Sequence, residues 1–310
     1  MSFQNQDVFS ELWTKDIQEY LKADNIIIAK ALIDDTYVNN YRVYLPQSGG
    51  ASTVVKNRDT TPVAAETRID TTIDYVVDNF TTTPRKIFLQ TEGSFPTYDK
   101  RMSIASEDMN VLRDIVTKDV ITKWITNGDD STNVRTSGSS RTAMGANQTG
   151  NRSKLTFADV LEAKRKLDGQ NVPMAGRVLL LDSDLATDLI SETGSQFNYS
   201  DTLANKISTE GFLGKVAGFE VYMRSEVGYT SGDTDDTFRE YDEDHDDADN
   251  KVAIAYHPSM VRRALSGEKA YYVANHPLYY GDVLSFGVNA GGTLCRKDKK
   301  GFIRIIETTP

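Results

Sequence analysis

Between residues 8 and 21 apolar side chains recur at helical spacing, with Phe9, Leu12, Trp13, Ile17, Tyr20 and Leu21 on one face. The pattern predicts an amphipathic N-terminal helix whose stripe needs a surface to lie on, and "IIIAKALI" (26–33) prolongs the apolar run. From Thr36 to about Phe95 the texture changes to short runs rich in Thr, Val, Tyr and Ile, "YRVYLP", "STVVKN", "IDYVV" and "KIFLQ", broken by Gly-Gly, Asp-Thr-Thr and Thr-Pro. Such runs predict a long two- or three-stranded hairpin. Its middle, "PQSGGASTVVKNRDTTPVAAET", has too few large apolar side chains to centre a compact domain. It is expected to project as a ribbon and to find its stability on a neighbour.

Residues 106–126 carry the clearest helical pattern: Ser106 as N-cap, Glu107 and Asp108 in the first turn, Lys118 and Lys123 toward the end. Met109, Leu112, Ile115, Val116, Val120, Ile121, Trp124 and Ile125 form a broad stripe along this spine. Residues 127–154, rich in Ser, Thr, Gly and Asn with almost nothing to bury, read as a long surface loop or a partly disordered segment. A second amphipathic helix follows at 156–167. In "NVPMAGRVLLLDSDLATDLI" (171–190), a Pro and a Gly lead into an apolar strand and then a helix opened by Asp-Ser-Asp. Beyond it come "GFLGKVAGFEVYMRSEV", whose glycines turn into a strand, and an acidic tract at 233–249. A strand "VAIAYH", a helical "PSMVRRAL" and a closing hairpin "DVLSFGVNAGGTLCRKDKKGFIRIIE" complete the chain. No internal repeat is present.

Composition narrows the function classes. A chain of 310 residues with 39% hydrophobic and 26% charged residues is an ordinary globular profile of about two domains' length. Its formal net charge of -10 argues against a nucleic-acid reader, which gains affinity by placing Lys and Arg against phosphates. The single cysteine, Cys295, excludes an intramolecular disulfide and a Cys-based zinc cage and fits a reducing compartment. The start "MSFQNQDVFSELW" has no basic or apolar leader pattern, and no run approaches the roughly 20 apolar residues of a membrane span. Synthesis in a cytoplasm without routing to a membrane is expected.

Candidate chemistry fails on spacing. A dinucleotide site places its Gly-rich turn after the strand, so that backbone N–H groups at a helix start face the pyrophosphate. Here Gly176 precedes the strand, and Asp182, Ser183 and Asp184 follow it; Asp182 or Ser183 is expected to cap the helix. "GFLGKVAG" has Gly-Lys, but Val216 stands where a P-loop needs a magnesium-binding hydroxyl. There is no Gly-X-Ser-X-Gly and no His-Glu-X-X-His. His257 and His276 each precede Pro at element boundaries. His245 lies in the acidic tract, where Asp242, Asp244 and Asp246 alternate like a calcium loop. Asp247 and Ala253 occupy the positions that need Gly and Glu, so a solvated, exposed acidic loop is expected. No catalytic, cofactor or metal residues are assigned.

The order and texture of the segments resemble the major capsid proteins of tailed bacteriophages, the Hong Kong 97-like fold. "ELWTKDIQEYLKADNIIIAKALI" looks like the family's N-terminal arm, the Thr/Val-rich ribbon like its extended loop, and "SEDMNVLRDIVTKDVITKWI" like its spine helix. "LTFADVLEAKRKLDGQNVPMAGRVLLLDSDLATDLI" resembles the opening of the axial domain, "GFLGKVAGFEVYMRSEV" its Gly-punctuated strand, and "AIAYHPSMVRRAL" the later strand and helix.

The resemblance implies an α+β chain with four zones: an arm at 1–35, an extended β-hairpin loop at 36–96, a peripheral domain at 97–154 and 276–310, and an axial domain at 155–275. It implies a non-enzymatic, cofactor-free subunit of hexamers and pentamers in an icosahedral head around double-stranded DNA, found in the virion and, during assembly, in the host cytoplasm. Packaged DNA is contained without specific binding, and no membrane is engaged. The chain begins directly with the arm, so a separate scaffolding protein is expected, with portal and decoration proteins as further partners. The interface candidates are Phe9, Leu12, Trp13 and Ile17 on the arm and Val54, Val55 and Lys56 on the ribbon. No crosslinking Lys or Asn carries over. An encapsulin-like shell of the same fold and a small α/β enzyme acting on a phosphate-bearing substrate are the alternatives.

Overall fold

A computed structural model describes residues 26–50, 52–59, 63–88, 100–145, 148–193, 212–232 and 236–310. Its strands are β1 (Leu32–Ile33), β2 (Val38–Asn39), β3 (Arg42–Gln47), β4 (Thr71–Val76), β5 (Asp78–Thr81), β6 (Arg85–Phe88), β7 (Val134–Arg135), β8 (Ser140–Thr142), β9 (Asn151–Ser153), β10 (Arg177–Asp182), β11 (Phe212–Val216), β12 (Phe219–Arg224), β13 (Tyr229–Ser231), β14 (Thr237–Phe238), β15 (Asn250–Tyr256), β16 (Val261–His276), β17 (Gly281–Leu294) and β18 (Phe302–Ile306). The helices are α1 (Ile26–Ala29), α2 (Lys100–Thr126), α3 (Phe157–Gly169) and α4 (Ser183–Thr193).

A strand without polar alternation must be covered on both faces, and β10 is buried along its whole length. It pairs in parallel with β12 and antiparallel with β15, which pairs in turn with β18. Period-two alternation sorts the side chains of this sheet. Leu179, Leu181, Ala253, Ala255, Ile303 and Ile305 meet α3 and α4 through Val160, Leu167, Leu185 and Leu189. Val178, Leu180, Val252, Ile254, Phe302 and Ile306 meet Val120, Ile121, Trp124 and Ile125 of α2.

A second sheet runs β1-β16-β17-β5, with β6 also on β17. Its Leu265, Leu284, Phe286 and Val288 pack against Ala105, Met109, Leu112 and Val116 of α2. The 27-residue helix, about 40 Å long at 1.5 Å per residue, therefore spans both sheets. Its first half covers one core and its second half the other. The Trp124 indole N–H donates to the Arg262 carbonyl at 2.8 Å and fastens helix to sheet. The ribbon's base is the sheet β2-β3-β4, seated on Ala264 through Val43, Leu45, Tyr75 and Val77.

Several expectations are corrected. Helix α2 starts at Lys100, not after Ser106, because Arg, Met and Ala ahead of Ser106 are good helix formers and nothing interrupts them. The tract at 127–154 forms β7, β8 and β9, and buries Arg141 and Arg152. Arg141 reaches Asp188 and Glu307, and Arg152 reaches the carbonyls of Asp247 and Asp249, partners distant in sequence that composition does not reveal. In "PSMVRRAL" only Pro258–Met260 makes a helical turn, a 3-10 one, before the 16-residue strand β16 begins; pairing with β17 decides it. The closing hairpin is likewise not formed. β17 pairs with β16, β5 and β6, whereas β18 crosses to the other sheet. The acidic tract is anchored rather than fully solvated: Asp249 is buried and accepts from Arg239 at 3.0 Å, and Asp236 accepts from Arg135 at 2.7 Å.

Candidate assembly surface

Where a nucleotide fold would hold phosphate, this chain holds its own cation. Asp182 Oδ1 accepts from the Asp184 backbone N–H at 3.0 Å, capping α4, and from Lys251 Nζ at 2.7 Å; Lys251 also pairs with Asp184. Burial opposes the Lys251 charge, but the two carboxylates outweigh it and raise its pKa. With carboxylates on the positive end of the helix, an incoming anion meets repulsion. The stretch is a wall between two helical layers. Ala217 and Gly218, both at positive φ, make the two-residue turn between β11 and β12, while Lys215 pairs with Glu220 at 3.4 Å.

The histidines are absorbed locally. His257 Nδ1 accepts from Ser259 N, His276 Nδ1 accepts from Leu278 N, and His245 stacks on Tyr229 with centroids 4.0 Å apart. Cys295 Sγ accepts from Arg262 Nε at 3.3 Å. Among the described residues no helix is long and apolar enough to cross a membrane.

Two surfaces stand out instead. Beyond the last ribbon pair, Gln47 with Thr71, the chain leaves the sheet. Its neck is closed by Asp70, which accepts from the Gly49 N–H at 2.7 Å and pairs with Arg68. A side chain at Gly49 would meet the Ile69 carbonyl at 2.4 Å, so only glycine fits. Past the neck, Val54 is 93% exposed, Val55 52% and Ile69 77%. Lys56 is exposed and has no hydrogen-bond or ion-pair partner among the described residues. Phe9, Leu12, Trp13 and Ile17 lie outside the described residues.

The second surface is the tip of the β16–β17 hairpin, which the sequence reading missed. Tyr271, Val273, Leu278, Tyr279 and Tyr280 are all exposed there, Tyr280 by 81%. The buried Asp282 stiffens it, accepting from the Tyr272 hydroxyl at 2.7 Å and the Asn275 N–H at 2.9 Å. The available signal was "YYVANHPLYY", an aromatic-rich run across a turn, where a soluble hairpin tip is ordinarily polar.

No protein-family model matches the sequence, and a search of curated proteins finds no match. Solved structures do match. The capsid of Ralstonia phage GP4 superposes with a TM-score of 0.65 at 10% identity, over 91% of this chain and 87% of that one. The capsid of cyanophage P-SCSP1u gives 0.58 at 16% identity, over 92% and 88%. A virus-like particle from Pyrococcus furiosus gives 0.52 at 9% identity, over 96% and 99%. The chain has the α+β, Hong Kong 97-like fold of phage capsid proteins.

Proposed function

We propose that this chain is the major capsid protein of a tailed phage, assembling into hexamers and pentamers of an icosahedral shell around double-stranded DNA. The observation that carries the reading is the pair of apolar projections on a well-filled core. A ribbon exposing Val54, Val55 and Ile69 and a stiff hairpin exposing Leu278 and Tyr280 are left uncovered among the described residues. Surfaces of this kind are covered between copies. The capsid fold supplies the context.

In this reading the arm, ribbon, peripheral and axial zones keep their meaning, and the sheets interlace two of them. β16 shares a sheet with β17 across the boundary at 275/276, and β18 returns to the sheet of β10 and β15. Scaffolding and portal proteins are the expected partners. The coverage of the Pyrococcus furiosus particle, 99% of that chain, favours a second reading, an encapsulin-like shell without a genome. Expression of the chain alone and with candidate scaffolds, followed by electron microscopy, tests both. Closed shells or capsomers are expected, with nuclease-protected DNA in native particles distinguishing a phage head from a protein container. A monodisperse monomer at high concentration under all conditions overturns the shell reading.

A further inference from the structure

The C-terminal end of α2 separates two recesses of opposite charge. On one side is a cavity of about 430 Å³ lined by Asp78, Asp119, Glu240 and Asp242, with Lys123 as its cation. Lys123 pairs with Asp78 and Asp119, and Glu240 and Asp242 have no ion-pair partner among the described residues. The excess is felt inside: burial first, then Asp78 and Glu240, push the Asp119 carboxyl up against the pull of Lys123. On the other side is a groove of about 240 Å³ bearing Arg296, Lys297 and Lys299 against Asp74. Arg296 is held by Asp298 at 2.8 Å, and Lys299 donates to the Gly128 carbonyl at 3.0 Å. The exposed Lys297 amine has no partner among the described residues. Asn127 lines both recesses, so the two adjoin at that residue.

Each half of this face presents the charge the other lacks. A copy of the same face, turned about an axis near Asn127, brings cations to the acidic cavity and carboxylates to the basic groove at two equivalent junctions. We propose that this face docks a second copy of the chain about a two-fold axis, the basic loop 296–300 of each copy seated at the acidic cavity of the other. The inference rests on the shell reading and adds to it a contact made by charge at the ribbon's base, distinct from the apolar ribbon end and hairpin tip. An acidic chain whose basic loop adjoins carboxylates without ion-pair partners among the described residues has, in itself, a partner that the loop fits.

Charge reversal in the full chain tests it, read by analytical ultracentrifugation and light scattering, with circular dichroism and thermal unfolding as checks on the fold. Glu240→Lys with Asp242→Lys, and separately Lys297→Glu with Lys299→Glu, are each expected to weaken self-association by about tenfold or more. An equimolar mixture of the two variants is expected to regain it. Asn127→Cys in a Cys295→Ser background is expected to crosslink copy to copy on oxidation, since a residue beside the axis meets itself. Variants that associate like wild type overturn the contact. So does weakening that the mixture does not reverse, or a basic-loop variant that loses only duplex-DNA binding. Absence of the crosslink overturns the two-fold geometry. Wild-type protein that never associates overturns the shell reading itself, a result distinct from all of these.

Discussion

Arg141 has a side chain 6% exposed, and its guanidinium bridges two buried carboxylates, Asp188 at 2.8 Å and Glu307 at 2.7 Å. Removing one partner of a buried ion pair leaves uncompensated charge, so Arg141→Met is expected to cost about 3–5 kcal/mol of unfolding free energy. Burial holds Glu307 above the ordinary Glu value even with Arg141 beside it. A raised folded-state pKa means that the group's contribution is full below the unfolded value and is lost as pH rises through the folded one. Without Arg141 that pKa rises further, so the penalty should grow from acid toward neutral pH in denaturant titrations. A penalty independent of pH would show that packing, not charge, dominates.

The pair Lys30–Glu220 behaves in the opposite sense. Burial would raise the Glu220 pKa, but Lys30 and Lys215 hold it below the ordinary value. Its contribution is therefore present above the unfolded pKa and lost as pH falls through the lowered folded one. Because both side chains are partly exposed, Glu220→Gln should cost no more than about 1 kcal/mol at neutral pH. The difference from wild type should vanish in acid. A gap that persists there would count against the ion pair.

At the scale of elements, the ribbon separates folding from assembly. Gln47 pairs directly with Thr71, and the buried Leu45 and Ile73 lie below that pair. Replacing residues 48–70 by Asn-Gly therefore closes a two-residue hairpin and removes no buried side chain among the described residues. Thermal unfolding of the isolated subunit should shift by a few degrees, about 1–2 kcal/mol, while closed shells should fail or burst. Robust shells from the shortened chain would remove the ribbon from the assembly surface. The β16–β17 tip is tested in parallel: Leu278→Ser with Tyr280→Ser should leave the melting temperature unchanged and lower the yield of particles. The spine helix is the contrasting case. Trp124 is fully buried, packs on Tyr256 with ring centroids 5.7 Å apart and donates to Arg262. Trp124→Ala should cost about 3–5 kcal/mol and lower the yield of folded subunit itself.

For the whole molecule, 45 acidic residues against 35 basic ones give the net charge of -10. Under the proposed shell reading, a wall with this charge would contain DNA without gripping it, because unneutralised phosphates are repelled rather than relieved of counterions. Purified subunits at micromolar concentration should leave a duplex unretarded in electrophoresis at about 150 mM salt. Retardation that falls steeply with salt would point to the basic loop as a DNA contact.

What the sequence determined by itself was local and periodic. Helices at 106–126 and 156–167, the buried strand at 178–181 with its capped helix, and the exposed ribbon follow from spacing, capping residues and the scarcity of apolar side chains. Each of those signals acts within a few residues of chain. Tertiary structure decided the rest. Whether "VRRAL" is helix or strand depended on pairing with residues 281–294, and whether 281–294 pairs with 302–306 depended on which sheet lay open at that point. Arg141, Arg152 and Arg304 look like surface residues in a polar tract and a terminal strand until Asp188, Glu307, Asp130 and backbone carbonyls come to meet them. The charged face beside Asn127 is assembled from residues near 78, 120, 240 and 297. Periodicity reports which side of an element is apolar; it carries no information about which distant element that side will find.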